Sequence, residues 1–207
     1  MATREIGIFA LPTVLVPGER IPLHIFEERY KQLIGECVES EDEFLLLFTD
    51  EDGTRELGCA ARVESVLEQL EDGRMNIMVE GTEVLEVVEL TRSGRPYTTA
   101  LADTATEDLD LGEEETGSVL TLYKQIAAAG GGDPEEDLTE AGWPLSYAIM
   151  ARVDFPAAEK QRVLELRGET PRIMAIIELL ARGLQALEQI EQVRRRAQTN
   201  GKVPHGD

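Results

Sequence analysis

The sequence predicts an α+β protein, in which an antiparallel β barrel or sandwich with one helix is followed by a bundle of four helices. Apolar residues alternate with a period of two, or form short apolar runs, up to about Ala102, and they recur with a period of 3.6 beyond Thr104. Glycine and proline turn signals separate the short runs of the first part. We therefore expect a β-rich domain at residues 1–107 and a helical domain at residues 108–207.

Three prolines interrupt an apolar run near the amino terminus, at Pro12, Pro17 and Pro22. Because proline fixes φ and lacks a backbone N–H, this run cannot form a helix or a regular central strand. The pair Pro17-Gly18 is typical of a tight turn, and we expect short extended pieces on either side of it. The first strand is predicted at Ile6–Leu11, where Pro12 closes it.

A single helix is predicted directly after the prolines, at Glu27–Val38. Its apolar residues follow helical spacing and share one face: Phe26, Tyr30, Leu33, Ile34 and Cys37. We expect Phe26 and Tyr30 to be buried beneath the proline-rich segment, and Phe26→Ala to be strongly destabilising for that reason.

The other strands of the first part are short and joined by turns. Phe44–Phe48 is a continuous apolar run between acidic residues, which is typical of a buried strand. Asp72-Gly73 lies between two strand-like runs and is a strong hairpin signal. The strands predicted after the helix are Phe44–Phe48, Ala61–Leu70, Met75–Glu80, Glu83–Leu90 and Tyr97–Ala102.

Helical spacing dominates after an acidic linker at residues 103–115. The glycine run at residues 130–132 ends the first of four expected helices. Thr170, as an N-cap, followed by Pro171 begins the last. A polar tail that contains His205 is expected to be disordered. The predicted helices are Glu113–Ala129, Leu138–Val153, Phe155–Leu166 and a last one from Thr170 to about Ala197.

Composition excludes several classes of partner. The formal net charge is −21, and an acidic surface repels nucleic acids and anionic membranes. No apolar run reaches the roughly 18 residues of a membrane span, and the first residues lack the apolar core of a signal peptide. Cys37 and Cys59 have no metal-type spacing and are interpreted as free thiols in a reducing cytosol. We expect a cytoplasmic protein that binds neither nucleic acid nor membrane.

The order of the prolines, His24-Ile25-Phe26-Glu27 and Arg29-Tyr30 resembles the amino-terminal, substrate-recognising domain of Lon proteases. The similarity extends over about residues 6–190 and includes Leu57-Gly58, Ala61-Arg62-Val63, Asp72-Gly73-Arg74, Gly81, Pro96-Tyr97, Lys160–Glu165 and Pro171–Ile173. The resemblance implies a stand-alone binding module without the ATPase and peptidase domains. It implies that unfolded or tagged proteins are bound, with or without a partner protease.

Motifs for hydrolysis or metal binding do not accompany this resemblance. The chain has no Gly-x4-Gly-Lys-Ser/Thr phosphate loop, and Lys31, Lys124 and Lys160 stand in no Ser-x-x-Lys pattern. The acidic runs lack the glycine-centred spacing of an EF-hand. We therefore expect no catalytic residues, no metal, no cofactor and no enzymatic activity.

The predicted peptide-binding residues are Phe26, Tyr30 and Trp143. Clefts between a β domain and a helical domain are common binding places, and Trp143 is interpreted either as core or as part of such a cleft. His24 is interpreted as a hydrogen-bonded ring that fixes the turn into the helix. Two alternatives stay open: a small-molecule binder or enzyme on this fold, and a structural oligomer unit whose last helix pairs with another.

Overall fold

The computed structural model describes residues 3–91, 93–105, 108–130 and 132–200; the predicted tail with His205 lies outside them. Within these ranges one helix lies between strands and every other helix follows the last strand, so the predicted α+β order is confirmed. The strands are β1 (Arg4–Leu11), β2 (Arg20–Ile25), β3 (Phe44–Asp50), β4 (Gly53–Thr54), β5 (Leu57–Gln69), β6 (Met75–Thr91) and β7 (Thr99–Thr104). The helices are α1 (Glu28–Ser40), α2 (Glu113–Gly130), a 3-10 helix (Leu138–Ala141), α3 (Leu145–Met150), α4 (Ala157–Leu164) and α5 (Glu169–Asn200).

The strands form a mainly antiparallel sheet, as predicted. Hydrogen-bonded neighbours run in the order β1-β7-β6-β5-β3-β4, and β1 also pairs with β3. The pairings therefore return to β1 and connect five strands in a ring. Among the described strands, β1–β3 is the one parallel pair. This pair is possible because the chain crosses over through β2 and α1 between the two strands.

Alternation along the ring strands creates two separate apolar clusters. One cluster takes residues from all five strands of the ring, so these side chains point into the ring. Three of them are alanines, which suit a narrow interior. The members of this inner cluster are Ile6, Ile8, Leu45, Leu47, Ala60, Leu85, Ala100 and Ala102, with Val87 packed against them.

The outer cluster lies between the sheet and α1. From α1 it receives Tyr30, Leu33, Ile34 and Cys37, as their helical spacing predicted. Phe9 of β1 contacts the Tyr30 ring edge-on, with 4.2 Å between the ring centroids. A β-carbon at Gly7 would overlap Leu33, so the close approach of α1 to β1 requires glycine there.

The proline-rich segment makes the predicted tight turn. The Glu19 N–H donates to the Val16 carbonyl at 3.1 Å, and Gly18 has φ +77°. These values fit a type II turn with Pro17 at its second position. The turn is tied to β6, since the Gly18 N–H donates to the Gly81 carbonyl at 2.9 Å.

Pro22 lies in β2, which pairs with β6 and with no other described strand. An edge strand tolerates proline because one row of its N–H groups has no ladder partner. The prediction that the prolines exclude a central strand is thus confirmed.

The hairpin at Asp72-Gly73 is confirmed, with φ +80° at Gly73 and the Leu70 N–H donating to the Arg74 carbonyl at 2.8 Å. The two strands predicted at Met75–Glu80 and Glu83–Leu90 are wrong as separate strands, because β6 runs through Gly81 without a break. Gly81 serves a different purpose: a β-carbon there would overlap the Val16 carbonyl oxygen. Glycine lets the proline turn approach the strand.

Three predicted helix boundaries need correction. The predicted helix Leu138–Val153 is divided in two, because Gly142 has φ +74° and ends the 3-10 helix. The predicted helix Phe155–Leu166 is shorter, at Ala157–Leu164. The last helix begins at Glu169, and the Thr170 hydroxyl donates to the Asp110 carbonyl at 2.8 Å instead of capping the helix.

The chain divides into two compact units, and the predicted single four-helix bundle is not confirmed. The first unit contains residues up to 110 and residues 137–172; the second contains 111–136 and the chain from 173 onward. The segment with α3 and α4 clusters with the strands, whereas the prediction placed it with the other helices beyond a boundary at 107/108.

Side chains of α4 and of the chain just after it bond directly to the β part of the first unit. Lys160 Nζ lies 2.5 and 2.6 Å from the two carboxylate oxygens of Glu19, and Gln161 Nε2 donates to the Leu57 carbonyl at 2.9 Å. Arg167 Nη2 lies 2.7 Å from the Glu86 carboxylate. These bonds join residues that are about 80 to 140 positions apart in the sequence.

In the second unit, α2 buries one face that contains Val119, Tyr123 and Ala127. From α5, Ile176 and Leu180 are buried. Among the helices of the described ranges, none combines the length and the apolar character that crossing a bilayer requires.

Candidate functional site

Phe26, which the sequence predicts to be buried, is 60% exposed. The prediction is wrong because α1 begins only at Glu28, so Phe26 continues the alternation of β2 instead of the helical face. Ile25 points into the core, and the next side chain therefore points outward. The Phe26 ring stacks on His24, with centroids 5.9 Å apart and ring planes 23° apart.

Tyr30 is buried, as predicted, and only 5% exposed. Its hydroxyl accepts a hydrogen bond from the Ala10 N–H at 3.3 Å, and its ring packs on Phe9. This packing makes Tyr30 a core residue that holds α1 against β1. Its role as a peptide-binding residue stays a prediction, and little of its ring is open to a bound chain.

Trp143 is 37% exposed and lies over the proline turn. A β-carbon at Gly18 would overlap the indole ring, so the ring can lie here only because residue 18 has no side chain. Among the residues that the structure describes, no hydrogen bond or ring contact joins Phe26, Tyr30 and Trp143 to one another. That the three form one peptide-binding site stays a prediction, and of these three Phe26 is the most exposed.

Phe26 belongs to an outward surface of β2, β5 and β6, which we call the β2–β6 face. A shallow groove of about 670 Å³ crosses it, lined by Pro22, Leu23, His24, Leu67, Glu68 and Asn76. Met78 pairs with Pro22 across the two strands and adds a further apolar side chain. The face is defined by Pro22, His24, Phe26, Leu67, Asn76 and Met78.

A chain of hydrogen bonds holds His24 in place. Asn76 Nδ2 donates to the Glu68 carboxylate at 2.8 Å, which leaves Asn76 Oδ1 as an acceptor. His24 Nδ1 lies 2.6 Å from this oxygen and therefore carries the proton. The imidazole ring is fixed in orientation, and it supports the Phe26 ring that stacks on it.

Leu67 is an exposed apolar residue of this face that the sequence analysis missed. It is 57% exposed, beside Val66 at 42%. The register of β5 against β6 shifts between Val63 and Ser65 and again between Val66 and Glu68. These irregularities turn Leu67 outward, which a regular strand at Ala61–Leu70 does not predict. The adjacent apolar residues Val66 and Leu67, which lie between Glu64 and Glu68, were the available signal.

Charged pairs border the face at the Arg20 end of β2. Glu80 accepts from Arg62 and lies 3.5 Å from Arg20, which also approaches Glu64 at 3.2 Å. The Arg20 and Arg62 side chains are 58% and 61% exposed, so these pairs contribute little to stability. They form a polar rim of mixed sign at this end of the face.

The thiols are not placed for nucleophilic chemistry. Burial raises the pKa of Cys37 to about 12, and burial also raises the pKa of Cys59. A thiol with such a pKa is protonated at neutral pH and is a weak nucleophile. In the part of the chain that the structure describes, no three His, Cys, Asp or Glu side chains are grouped to hold a metal ion.

Comparison with known families identifies the protein family to which the chain with this face belongs. The family model of the ATP-dependent protease La (LON) substrate-binding domain matches residues 5–182. The chain belongs to this family. The Lon resemblance predicted from the sequence is thus confirmed, and the matched domain is a substrate-binding one.

Curated relatives of this Lon domain are full-length proteases. Lon protease 2 of Myxococcus xanthus is 29% identical over 198 residues, which cover 85% of this chain and 23% of the relative. Lon protease of Escherichia coli K12 is 23% identical over 207 residues, which cover 93% of this chain and 26% of the relative. The chain thus spans about a quarter of the length of these relatives.

Solved Lon amino-terminal domains share the fold. A Lon N-terminal domain protein from Xanthomonas campestris superposes with a TM-score of 0.62 at 20% identity, covering 86% of this chain and 98% of that one. The N-terminal domain of the Mycobacterium avium complex Lon protease gives a TM-score of 0.69 at 15% identity, with the same coverage.

For this Lon domain, Phe26→Ala is expected to change the free energy of unfolding by less than about 0.5 kcal/mol, because the ring is exposed. Phe44→Ala, at a residue with 0% exposure, is expected to cost about 3–5 kcal/mol through lost burial and a cavity. Urea denaturation of both variants measures the difference. A loss above about 2 kcal/mol for Phe26→Ala would restore the prediction of a buried ring.

Proposed function

We propose that this Lon substrate-binding domain binds unfolded polypeptide on the β2–β6 face. The observation that carries the proposal is the outward Phe26 ring, 60% exposed, beside a groove that also exposes Leu67 at 57%. Neighbouring exposed apolar groups with a polar rim are typical of an interaction surface. An unfolded chain offers the apolar side chains that such a surface covers.

The support beneath Phe26 favours binding. Its ring rests on His24, which is fixed through Asn76 and Glu68. A preorganised aromatic side chain loses little conformational entropy when a partner covers it. Phe26 is therefore suited to act as the anchor of the face, with Leu67 and Met78 as its apolar neighbours.

The contact is expected to use side chains more than backbone. β2 is an edge strand, and an incoming strand could in principle extend the sheet there. Pro22, however, has no N–H and interrupts the row of donors that strand addition needs. Recognition through apolar side chains tolerates many sequences, which suits a module that receives unfolded proteins.

We also propose that the ring of strands is a small closed barrel that holds this face rigid. The bound polypeptide would be passed to a protease activity, as the Lon relatives suggest. The net charge of −21 favours segments that carry basic residues, and added salt is expected to weaken that part of the affinity.

Titration of a labelled, reduced and unfolded model protein, followed by fluorescence anisotropy, tests the proposal. The dissociation constant is expected to be on the order of micromolar. Phe26→Ser and Leu67→Ser are each expected to weaken binding by about tenfold, because each removes about 1.4 kcal/mol of apolar contact.

Val88→Ser is the matched control, since Val88 is an apolar β6 residue with 62% exposure outside the face. It is expected to leave binding unchanged. Equal weakening by all three variants would show that general surface hydrophobicity, and not this face, binds the polypeptide. No binding at about 100 μM would remove the polypeptide-binding proposal altogether.

A further inference from the structure

A second cavity, of about 380 Å³, opens where the inner cluster of the ring reaches the surface. Ile8, Leu47 and Val87 line it, and all three belong to the side chains that point into the ring. Leu90, 62% exposed, adds an apolar wall. We call it the ring-end cavity. Its volume is that of a site for a small ligand or for one or two residues of a peptide.

Two arginines line this apolar cavity, in a chain whose net charge is −21. The Arg29 guanidinium lies over the Tyr30 ring, 4.3 Å from its centroid. The Arg55 guanidinium lies 5.7 Å from the centroid of the Phe48 ring. These cation–π contacts place both guanidinium groups beside the cavity, while the two side chains stay 50% and 29% exposed.

Nearby carboxylates use only part of the donor capacity of these arginines. Arg29 directs Nε and Nη2 to one oxygen of Glu27, at 3.0 and 2.8 Å, and Arg55 directs Nη2 to Asp50 at 2.7 Å. A guanidinium has five N–H donors, so the Nη1 groups of both arginines remain for a ligand. Glu56 also lines the cavity and repels a second acidic group, which favours a ligand with a single negative charge.

We propose that the ring-end cavity binds an apolar group that ends in a carboxylate. The guanidinium fork matches a carboxylate with two parallel hydrogen bonds, while Ile8, Leu47 and Val87 receive an aliphatic or aromatic group. A polypeptide C-terminus with an apolar last residue and a free small apolar acid both carry this chemistry. The cavity is separate from the β2–β6 face and does not depend on it.

Paired probes that differ only in their terminal charge test this inference. N-acetyl-leucine and N-acetyl-leucinamide are titrated against the isotopically labelled protein, and amide chemical shifts are followed by NMR. The acid is expected to bind at least about tenfold more tightly than the amide and to shift resonances of β1, β3 and residues 54–56. N-acetyl-leucyl-leucine and 4-methylpentanoate, compared in the same way, tell a polypeptide end from a small free acid.

Arginine variants test which guanidinium groups bind the carboxylate of the acid. Arg55→Met and Arg29→Met are each expected to weaken binding of the acid by about tenfold without weakening the amide. Arg74→Met is the control, because Arg74 is 46% exposed and pairs with Asp72 in the hairpin turn. Phe26→Ser is expected to leave this binding unchanged, which separates it from the proposed polypeptide site.

Equal affinity for the acid and the amide, or no binding of the acid at about 5 mM, would overturn the inference. That comparison uses the unaltered protein, so it holds even if an arginine variant folds poorly. Tighter binding of N-acetyl-leucyl-leucine than of 4-methylpentanoate supports a polypeptide end as the occupant. The reverse order supports a small acid in the same cavity.

Discussion

Replacing Arg172 with methionine is expected to destabilise the protein by about 3–5 kcal/mol, because the change leaves a buried carboxylate without its cation. Arg172 is 0% exposed and Glu169 is 3% exposed, with 3.1 Å between Arg172 Nη2 and the carboxylate. Ser146 completes the network, since its hydroxyl donates to Glu169 at 2.6 Å and accepts from Arg172 Nε at 3.0 Å. The network ties the start of α5 to α3.

The measurement is the free energy of unfolding from urea titration. Arg162→Met is the matched control: its side chain is 74% exposed and pairs with Glu159 within α4, so its loss should cost less than about 0.5 kcal/mol. Adding Glu169→Gln to Arg172→Met is expected to recover part of the loss, since the unpaired charge is then removed. If Arg172→Met were as mild as Arg162→Met, the buried network would not stabilise the fold.

Replacing Lys160 with methionine is expected to cost about 3 kcal/mol at neutral pH, and the cost is expected to depend on pH. Lys160 holds both carboxylate oxygens of Glu19, and the two side chains are 9% and 12% exposed. The bond fastens the proline turn to α4. Lys124→Met, at a lysine with 52% exposure, serves as the control with little expected effect.

The pH dependence follows from the pKa of Glu19. Burial raises this pKa above the ordinary value of 4.5, and the charge and hydrogen bonds of Lys160 oppose the rise. Without Lys160 the folded-state pKa rises further, so the folded protein holds the Glu19 proton more tightly than the unfolded chain does. In the variant, the stabilisation that comes from binding the Glu19 proton is then fully present below about pH 4.5. This contribution is lost as the pH rises through the folded-state pKa of Glu19.

Denaturation of Lys160→Met between pH 4 and pH 8 measures this dependence, relative to the unaltered protein. The destabilisation is expected to grow with pH, and Glu19→Gln combined with Lys160→Met is expected to abolish the growth. A destabilisation of equal size at every pH would show that lost packing of the lysine side chain, and not the unpaired carboxylate, is responsible.

Local features of the chain were predictable from the sequence because they depend on neighbouring residues alone. The Pro17-Gly18 turn and the Asp72-Gly73 hairpin are fixed by backbone preferences of proline and glycine. The Phe26 error has a physical cause. Residues 26 and 30 are four apart, and this spacing fits one face of a strand as well as one face of a helix. The start of α1 at Glu28 decides between them.

The contacts that join distant parts of the chain could not be predicted in this way. Glu19 and Lys160 are 141 positions apart, and no periodicity indicates that they meet. The break at Gly142, by contrast, was signalled in the sequence, because Gly142 and Pro144 both disfavour a helix interior. Leu67 reaches the β2–β6 face only because of the register shifts of β5. Phe26 was thus named from the sequence as a binding residue, but its surroundings were not.

Mapping the backbone amide resonances during titration with an unfolded polypeptide tests the central claim most directly. If the β2–β6 face binds the polypeptide, the shifts will cluster in β2 and in residues 66–68 and 75–78, and Phe26→Ser will remove them. Shifts confined to α2 and α5, or shifts that persist unchanged in Phe26→Ser, would contradict the assignment of the binding surface to this face.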